Sequence, residues 1–305
     1  MYICTPLFHC AGSHVFAVPT MYRGGAVIIA ESFSPDRTLT DLVETEATIF
    51  FGVPAMYAIL LNKPELSTYS FEHLRLFCYG AAPMPYELVK RLKEAFPNVA
   101  VQNLYGQTEN TPAATSLLDD AALTKIGSVG KPLARTEVKL LNAYGEEVAL
   151  GEVGEICVRG PQVMNGYLRN PEETSNTIRN GWLHSGDLGR FDDEGYLYIV
   201  DRKKDMIIRG GENIYPIEIE EVLYQMPEIL EAAVVGIPHK VYGEVPKAFV
   251  VLKENQALTD ADIINYMKTQ LAKYKVPAEV EFIASLPRNA SGKVLKHTLR
   301  PTQNV

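Results

Sequence analysis

The chain has 305 residues, 47% of them hydrophobic and 22% charged, the make-up of a globular protein with more than one core. A net charge of −8 argues against a nucleic acid partner, because binding a phosphate backbone requires concentrated Lys and Arg. Four cysteines, Cys4, Cys10, Cys78 and Cys157, lie far apart with no C-x-x-C pair, which points to buried thiols in a reducing compartment.

The N-terminal MYICTPLFHCAG has no basic flank ahead of its apolar residues, and His9 interrupts them, so it is a poor signal peptide. From Ala26 the pattern alternates strand with amphipathic helix: GAVIIAE, PDRTLTDLVETE, ATIFFGV, PAMYAILLNK, LRLFCYGA, PYELVKRLKEAF and VAVQNLYG. A proline opens each helix, where its missing N–H costs nothing. The most apolar stretch, Ala47 to Leu61, contains Thr48, Gly52 and Pro54, is too short to span a bilayer and reads as core. No transmembrane segment and a cytoplasmic location are therefore expected.

Such alternation indicates a largely parallel sheet with crossover helices, whose ligands bind beyond the carboxyl ends of the strands. The turns CYGAAP and YGQTE fall there. After Gly127 the helical signal disappears, and TEVKLLNAYGEEV, GEICVRG and GYLYIV read as antiparallel strands of a small barrel. Near Tyr215 the alternation returns with PIEIEEVLYQM, EAAVVGI, KAFVVLK and DADIINYMKTQLAKY, the last with Ile263, Met267 and Leu271 as its buried stripe. The expected fold is thus α/β and α+β. A partial large domain spans residues 1–201, with an α/β portion over residues 1–126 and a β-barrel-like portion over residues 127–201. A small mobile α+β domain spans residues 202–305.

Several motifs suit a nucleotide. In YGQTEN an aromatic face can stack on a flat ring, Thr108 can donate to a phosphate oxygen, and Glu109 can hold a hard cation. In SGDLG, Asp187 can accept both hydroxyls of a ribose, although on this motif alone an Asx turn between strands is the slightly favoured reading. LFCYGAAPMP offers backbone near small residues for close approach to a flat ligand. The segment DRKKDMIIRGGENIYP combines a charge run, a strand and a glycine pair, features that also suit a solvated surface hairpin.

Taken in order, PLFHCAG, YGAAP, YGQTE, GEICVRG, GWLHSGDLG, DRKKDMIIRGGENIYP and PRNASGKVLK closely resemble the motifs of the adenylate-forming ligase family, from Pro6 to Arg300. GGENIYP and PRNASGK are most similar to acyl-CoA synthetases of medium or long acyl chains. The resemblance implies a two-step reaction with ATP, Mg2+ and CoA, in which a carboxylic acid becomes acyl-AMP and the CoA thiol then displaces AMP. It implies that Tyr105, Gly106 and the turn Gly80, Ala81, Ala82 and Pro83 hold the adenine, that Thr108 touches phosphate, and that Glu109 binds Mg2+. Asp187 and Arg202 would hold the ribose side of the nucleotide. Lys293 matches the mobile lysine that contacts carboxylate and α-phosphate oxygens. Lys204 matches the hinge about which the C-terminal domain swings, the run of charges keeping it solvated, while Gly210 and Gly211 line the thiol channel. His9 would gate the acyl pocket, beside Phe51, Gly52 and Tyr79.

The family's Ser/Thr/Gly-rich phosphate loop ending in Pro-Lys-Gly does not occur in the sequence, so the chain is expected to be the C-terminal portion of a synthetase. Weak adenylation by the chain alone is the consequence, because β- and γ-phosphate charge lacks its backbone cradle. An exposed sheet edge and a missing N-terminal half or a homo-oligomeric partner are expected too. The leading reading is a fatty acyl-CoA synthetase. An adenylation domain that loads a carrier protein, and a non-catalytic remnant that binds nucleotide or a partner, remain as alternatives.

Overall fold

A computed structural model describes residues 1–82, 84–289 and 293–301. The chain divides into two compact units. One contains Met1–Ser185 and Gly189–Ile199, and the other contains Gly186–Leu188 and the residues from Val200 onward.

The first unit is built on a mixed sheet whose order runs from Ile28–Ile29 through Tyr2–Ile3, Ile49–Gly52, Leu76–Gly80 and Ala100–Tyr105. These five strands pair in parallel. The order then continues through Thr115–Leu117 and Ser128–Pro132, which join by antiparallel pairing, and ends at Glu137–Leu141, antiparallel to Gly154–Arg159. Consecutive side chains of a strand point to opposite faces, so Phe50, Phe77 and Val101 enter one core while Phe51 and Cys78 enter another. Helices Pro35–Glu44, Pro54–Leu61 and Tyr86–Ala95 supply Leu39, Tyr57 and Leu92 to the first core. Pro35 and Pro54 stand in the first helical turn and Pro85 at the N-cap, as expected.

The helices Val18–Tyr22 and Pro171–Thr177 both escaped the sequence reading. Pro171–Thr177 lies where only strands were expected; it buries no residue and so leaves no apolar period. Its formation is local: the Asn170 side chain accepts the Glu173 N–H at 3.1 Å, Pro171 opens the first turn, and Glu172 and Glu173 face the positive end of the helix dipole.

The second unit has a five-stranded sheet. Glu212–Ile214, Ile207–Arg209, Gly243–Leu252 and Ile229–His239 follow one another, and Glu279–Phe282 runs parallel to Gly243–Leu252. Helices Pro216–Tyr224 and Asp260–Gln270 contribute Ile219, Leu223, Ile263 and Met267 to its core. Leu271, the residue that caps this helix, is half-buried and packs against the same core as Ile263 and Met267. Among the described residues no helix is long and apolar enough to cross a membrane.

Helix Pro35–Glu44 ends in a left-handed turn at an unusual residue. Glu46 has φ +51° while its N–H bonds to the Val43 carbonyl and the Ala47 N–H bonds to the Leu42 carbonyl, a pairing that favours glycine at this position. Glu46→Gly is therefore expected to stabilise the protein by about 1 kcal/mol. Gly80→Ala should destabilise it by roughly 3 kcal/mol, because a Cβ at Gly80 would stand 2.3 Å from the Leu104 carbonyl oxygen. Urea denaturation midpoints, moving in opposite directions for the two variants, check both.

Candidate functional site

In the first unit the parallel strands Leu76–Gly80 and Ala100–Tyr105 lie side by side, with Gly80 opposite Leu104, so the turns that follow them emerge together. Gly106, like Gly80, has a reason internal to the protein: a Cβ there would meet the Pro112 carbonyl oxygen at 2.0 Å. Gly80 itself is buried, whereas Ala81 and Ala82 are exposed, Ala81 with φ +65°. Pro83 lies outside the described residues. Tyr105 is 9% exposed and packs with Ala114, Val129 and Leu197, so nine-tenths of its surface is covered before any ring stacks on it.

The turn Thr108–Asn110 is closed by the Gln107 N–H, which donates to the Asn110 side-chain oxygen at 2.9 Å. Thr108 is exposed, with its hydroxyl 3.2 Å from the Cys10 sulfur. Cys10 is half-buried, in contrast to the buried Cys4, Cys78 and Cys157, so the expectation of four buried thiols holds for three. Three hydrogen bonds staple the turn to residues 162–167. The Glu109 carbonyl accepts the Met164 N–H at 2.8 Å, the Thr111 hydroxyl donates to the Gln162 carbonyl at 2.8 Å, and the Tyr167 hydroxyl donates to the Glu109 carboxylate at 2.8 Å.

Glu109 is thereby held half-exposed with a fixed direction. Among the described residues no three His, Cys, Asp or Glu side chains gather as a metal cage. A single oriented carboxylate fits Mg2+, which keeps waters and takes its remaining oxygens from substrate phosphates. His9 is half-buried, and its Nδ1 accepts the Ala11 N–H at 3.2 Å, which leaves the ring proton on Nε2. It thus anchors the start of the π-helical segment Ala11–Ala17. Phe51 and Tyr79, expected beside the acyl group, are 3% and 2% exposed and belong to the two cores flanking the sheet.

In the second unit the structure brings Asp187, Arg202 and Lys293 together. Asp187 is buried, and Arg202 Nε stands 3.4 Å from its Oδ1. Burial pushes the Lys293 ammonium down to about 8; Arg202 and Lys204 add to the shift, while Asp187 and Asp205 oppose it. Lys293 is half-buried. Its N–H donates to the Asn289 side chain at 2.9 Å, its carbonyl accepts the Asn289 N–H at 3.0 Å, and the Leu295 N–H reaches the Pro287 carbonyl at 2.8 Å.

The charge run is not uniformly solvated either. Lys203 and Lys204 are exposed, but Asp201 is 1% exposed and accepts the Arg202 and Ile217 N–H groups at 2.6 and 3.1 Å. Asp205 pairs with Arg300 at 3.0 Å. Gly210 and Gly211 form the two-residue loop of the hairpin that joins Ile207–Arg209 to Glu212–Ile214, with φ +60° and +94°, a geometry that selects glycine at both positions. Both are exposed, with open space at the Gly211 Cβ position. A concavity lined by Ile237, Lys247, Phe249, Glu281 and Arg300 lies in this unit and shares Arg300, the partner of Asp205, with the residues above.

The fold, a large mixed sheet accompanied by a small α+β unit, is that of the adenylate-forming ligases. The family model for AMP-binding enzymes matches residues 1–168, and that for the AMP-binding enzyme C-terminal domain matches residues 218–293, so the chain belongs to the AMP-binding enzyme family. It is 41% identical over 298 residues to a feruloyl-CoA synthase of Amycolatopsis sp and 40% identical over 297 residues to a 2-succinylbenzoate–CoA ligase of Bacillus cereus. These alignments cover 98% and 97% of the chain but 60% of each relative, so the chain spans about three-fifths of their length. Among solved structures, o-succinylbenzoate CoA synthetase from Bacillus subtilis in complex with its acyl-adenylate intermediate matches with a TM-score of 0.88 at 37% identity, over 99% of this chain and 60% of that one. An amide bond synthetase from Marinactinospora thermotolerans matches with a TM-score of 0.92 at 33% identity, over 98% of this chain and 61% of that one.

Tyr167 was not singled out from the sequence, and nothing in its local pattern marks it. Were Glu109 to hold Mg2+ beside a nucleotide, Tyr167→Phe, which removes the hydrogen bond to its half-exposed carboxylate, should weaken Mg2+-dependent nucleotide binding by roughly threefold to tenfold. Calorimetric titrations with Mg2+ and with EDTA check this; only the former should change.

Proposed function

We propose that the chain is the distal portion of an AMP-forming acid–thiol ligase, acting on a carboxylic acid, ATP and CoA. The observation that carries this reading is the Lys293 ammonium held beside Asp187 and Arg202 within a chain of this family. In the first step a carboxylate oxygen bonds to the α-phosphorus, and the bond to the bridging oxygen breaks to release pyrophosphate. Negative charge grows on the phosphoryl oxygens, and Lys293, still mostly charged at neutral pH, donates to them. Asp187 uses one oxygen toward Arg202, and a carboxylate has acceptor capacity enough to take the ribose hydroxyls as well.

Thr108 presents its hydroxyl to phosphate, and Ala81, Ala82 and Tyr105 take the adenine. Glu109 is the residue that would hold Mg2+, which when bound shields phosphate charge. In the second step the CoA sulfur bonds to the acyl carbon, the bond to AMP breaks, AMP leaves with the electron pair, and the thiol proton passes to solvent. The exposed Gly210–Gly211 turn has no side chain to obstruct that thiol. His9, its Nδ1 occupied by the Ala11 N–H, can offer its Nε2 proton to the acyl carboxylate.

The finer reading is a fatty acid, supported by the apolar neighbours of His9. An aromatic acid is the second reading, supported by the feruloyl- and succinylbenzoate-activating relatives. A partner segment carrying the family's phosphate loop, a motif these 305 residues do not contain, would serve pyrophosphate departure. Exposed Phe8, Val18, Met21, Tyr22 and Ile29, the last on the two-residue strand at the sheet's end, support such a partner surface.

Mixing the purified chain with preformed acyl-AMP and CoA tests the reading directly. Acyl-CoA should form from acyl-AMP, while ATP, free acid and CoA should give turnover far below synthetase rates. A panel of hexanoyl-, palmitoyl- and feruloyl-AMP separates the two acid classes, and a phosphopantetheine carrier protein offered against CoA tests the acceptor. A folded chain that makes no thioester from any of them would overturn the ligase reading in favour of a nucleotide- or partner-binding remnant.

A further inference from the structure

We propose that Lys296 is a positioning residue: its ion pair with Glu220 fixes the Lys293 hairpin to the helix Pro216–Tyr224 and so to the segment carrying Lys204. The inference rests on the reading of Lys293 as the residue that acts on phosphate, and it concerns what holds that residue in place.

Lys296 Nζ stands 2.6 Å from Glu220 Oε1, with the two side chains 19% and 12% exposed. Burial works against the Lys296 charge, yet Glu220 and Asp201 hold its ammonium above the usual lysine range. Glu220 also accepts the Val234 N–H at 2.7 Å, which seats the pair on the central sheet. Asp201 completes the group from the other side: burial pushes its carboxyl up to about 6, and Lys296 pulls it back. Because Asp201 accepts the Ile217 N–H at the start of the same helix, the hinge segment and the hairpin meet at one buried cluster.

A second tie runs parallel to the first. Arg300 donates to the Lys204 carbonyl at 3.1 Å and to Asp205 at 3.0 Å. On the opposite side of the hairpin, Arg288 pairs with Glu231 and bridges to Val294. Lys293 therefore stands between two anchored ends, three residues before Lys296. A side chain that reaches a phosphoryl oxygen must be placed to within a fraction of an ångström, and an exposed loop cannot place it so. A buried ion pair missing one member leaves an uncompensated charge, so the tie is lost whichever partner is removed.

The test reads the placement of Lys293 and needs no turnover, so its failure is distinguishable from failure of the ligase reading. The full chain is treated with N-hydroxysuccinimidyl acetate across pH 6–11, and labelling of Lys293 is followed by peptide mass spectrometry, normalised to the exposed Lys268. Arg202, Asp187, Lys204 and Asp205 are the charged groups that act on Lys293, and none of them is substituted in either variant. In Lys296→Met the hairpin opens to water and the Lys293 labelling midpoint should rise by about one pH unit or more toward that of a solvated lysine. Lys296→Arg should keep it within a few tenths. Hydrogen exchange supplies the second readout: the Lys293 and Leu295 amides should exchange at least about tenfold faster in Lys296→Met, while the Val234 amide keeps its protection. An unchanged midpoint and unchanged exchange would overturn the proposal. Equal loss of protection at Val234 and at the hairpin would also overturn it, by showing that Lys296 supports the whole unit and not the placement of Lys293.

Discussion

A parallel sheet covered on both faces must send consecutive side chains into separate cores, and this constraint organises the first unit. Phe50 and Phe51 are neighbours in sequence and lie on opposite sides of the sheet. A register slip of one residue would exchange every such pair, so the register of Ile49–Gly52 against Leu76–Gly80 and Ala100–Tyr105 is set by burial alone. That register decides where the strands end, and the strand ends carry the turns with Ala81, Thr108 and Glu109. Gly80 and Gly106 permit the backbone approaches that keep these turns close, which makes them requirements of the fold as much as of a ligand.

The second unit is organised by charge in a dry setting. Asp201 is buried beside the half-buried pair of Glu220 and Lys296, Asp187 and Arg202 pair nearby, and Lys293 stands in the field of both groups. Taking these charges out of water is costly, and each is compensated by a partner or by a backbone N–H. The arrangement suits chemistry in which charge develops on phosphate, because a partly desolvated ammonium with fixed neighbours needs little rearrangement when the negative charge appears.

Much of this was legible before the structure. The alternation from Ala26 to Tyr105 located four of the five parallel strands and their proline-opened helices, because burial writes a period into the sequence, whereas the two-residue strand Tyr2–Ile3 is too short to show one. The helix Pro171–Thr177 was not legible, since it buries nothing and is held by a cap and a dipole. The run Asp201 to Asp205 read as uniformly solvated, and the fold separates it into a buried Asp201, a paired Asp205 and two exposed lysines. Phe51 and Tyr79 read from the sequence as residues near the acyl group, and side-chain direction in the pleated sheet places them in the two cores that flank it.

By itself the sequence determined the succession of strands and helices, the glycine turns, the acidic balance and the order of motifs that marks the family, since all of these depend on local periodicity or on residue type at a given spacing. Only the tertiary structure decided which partner each polar residue finds. Tyr167 orients Glu109 from 58 residues away, and Lys296 meets Glu220 across the small unit, because such contacts arise from chain segments brought together by burial and leave no trace in local spacing.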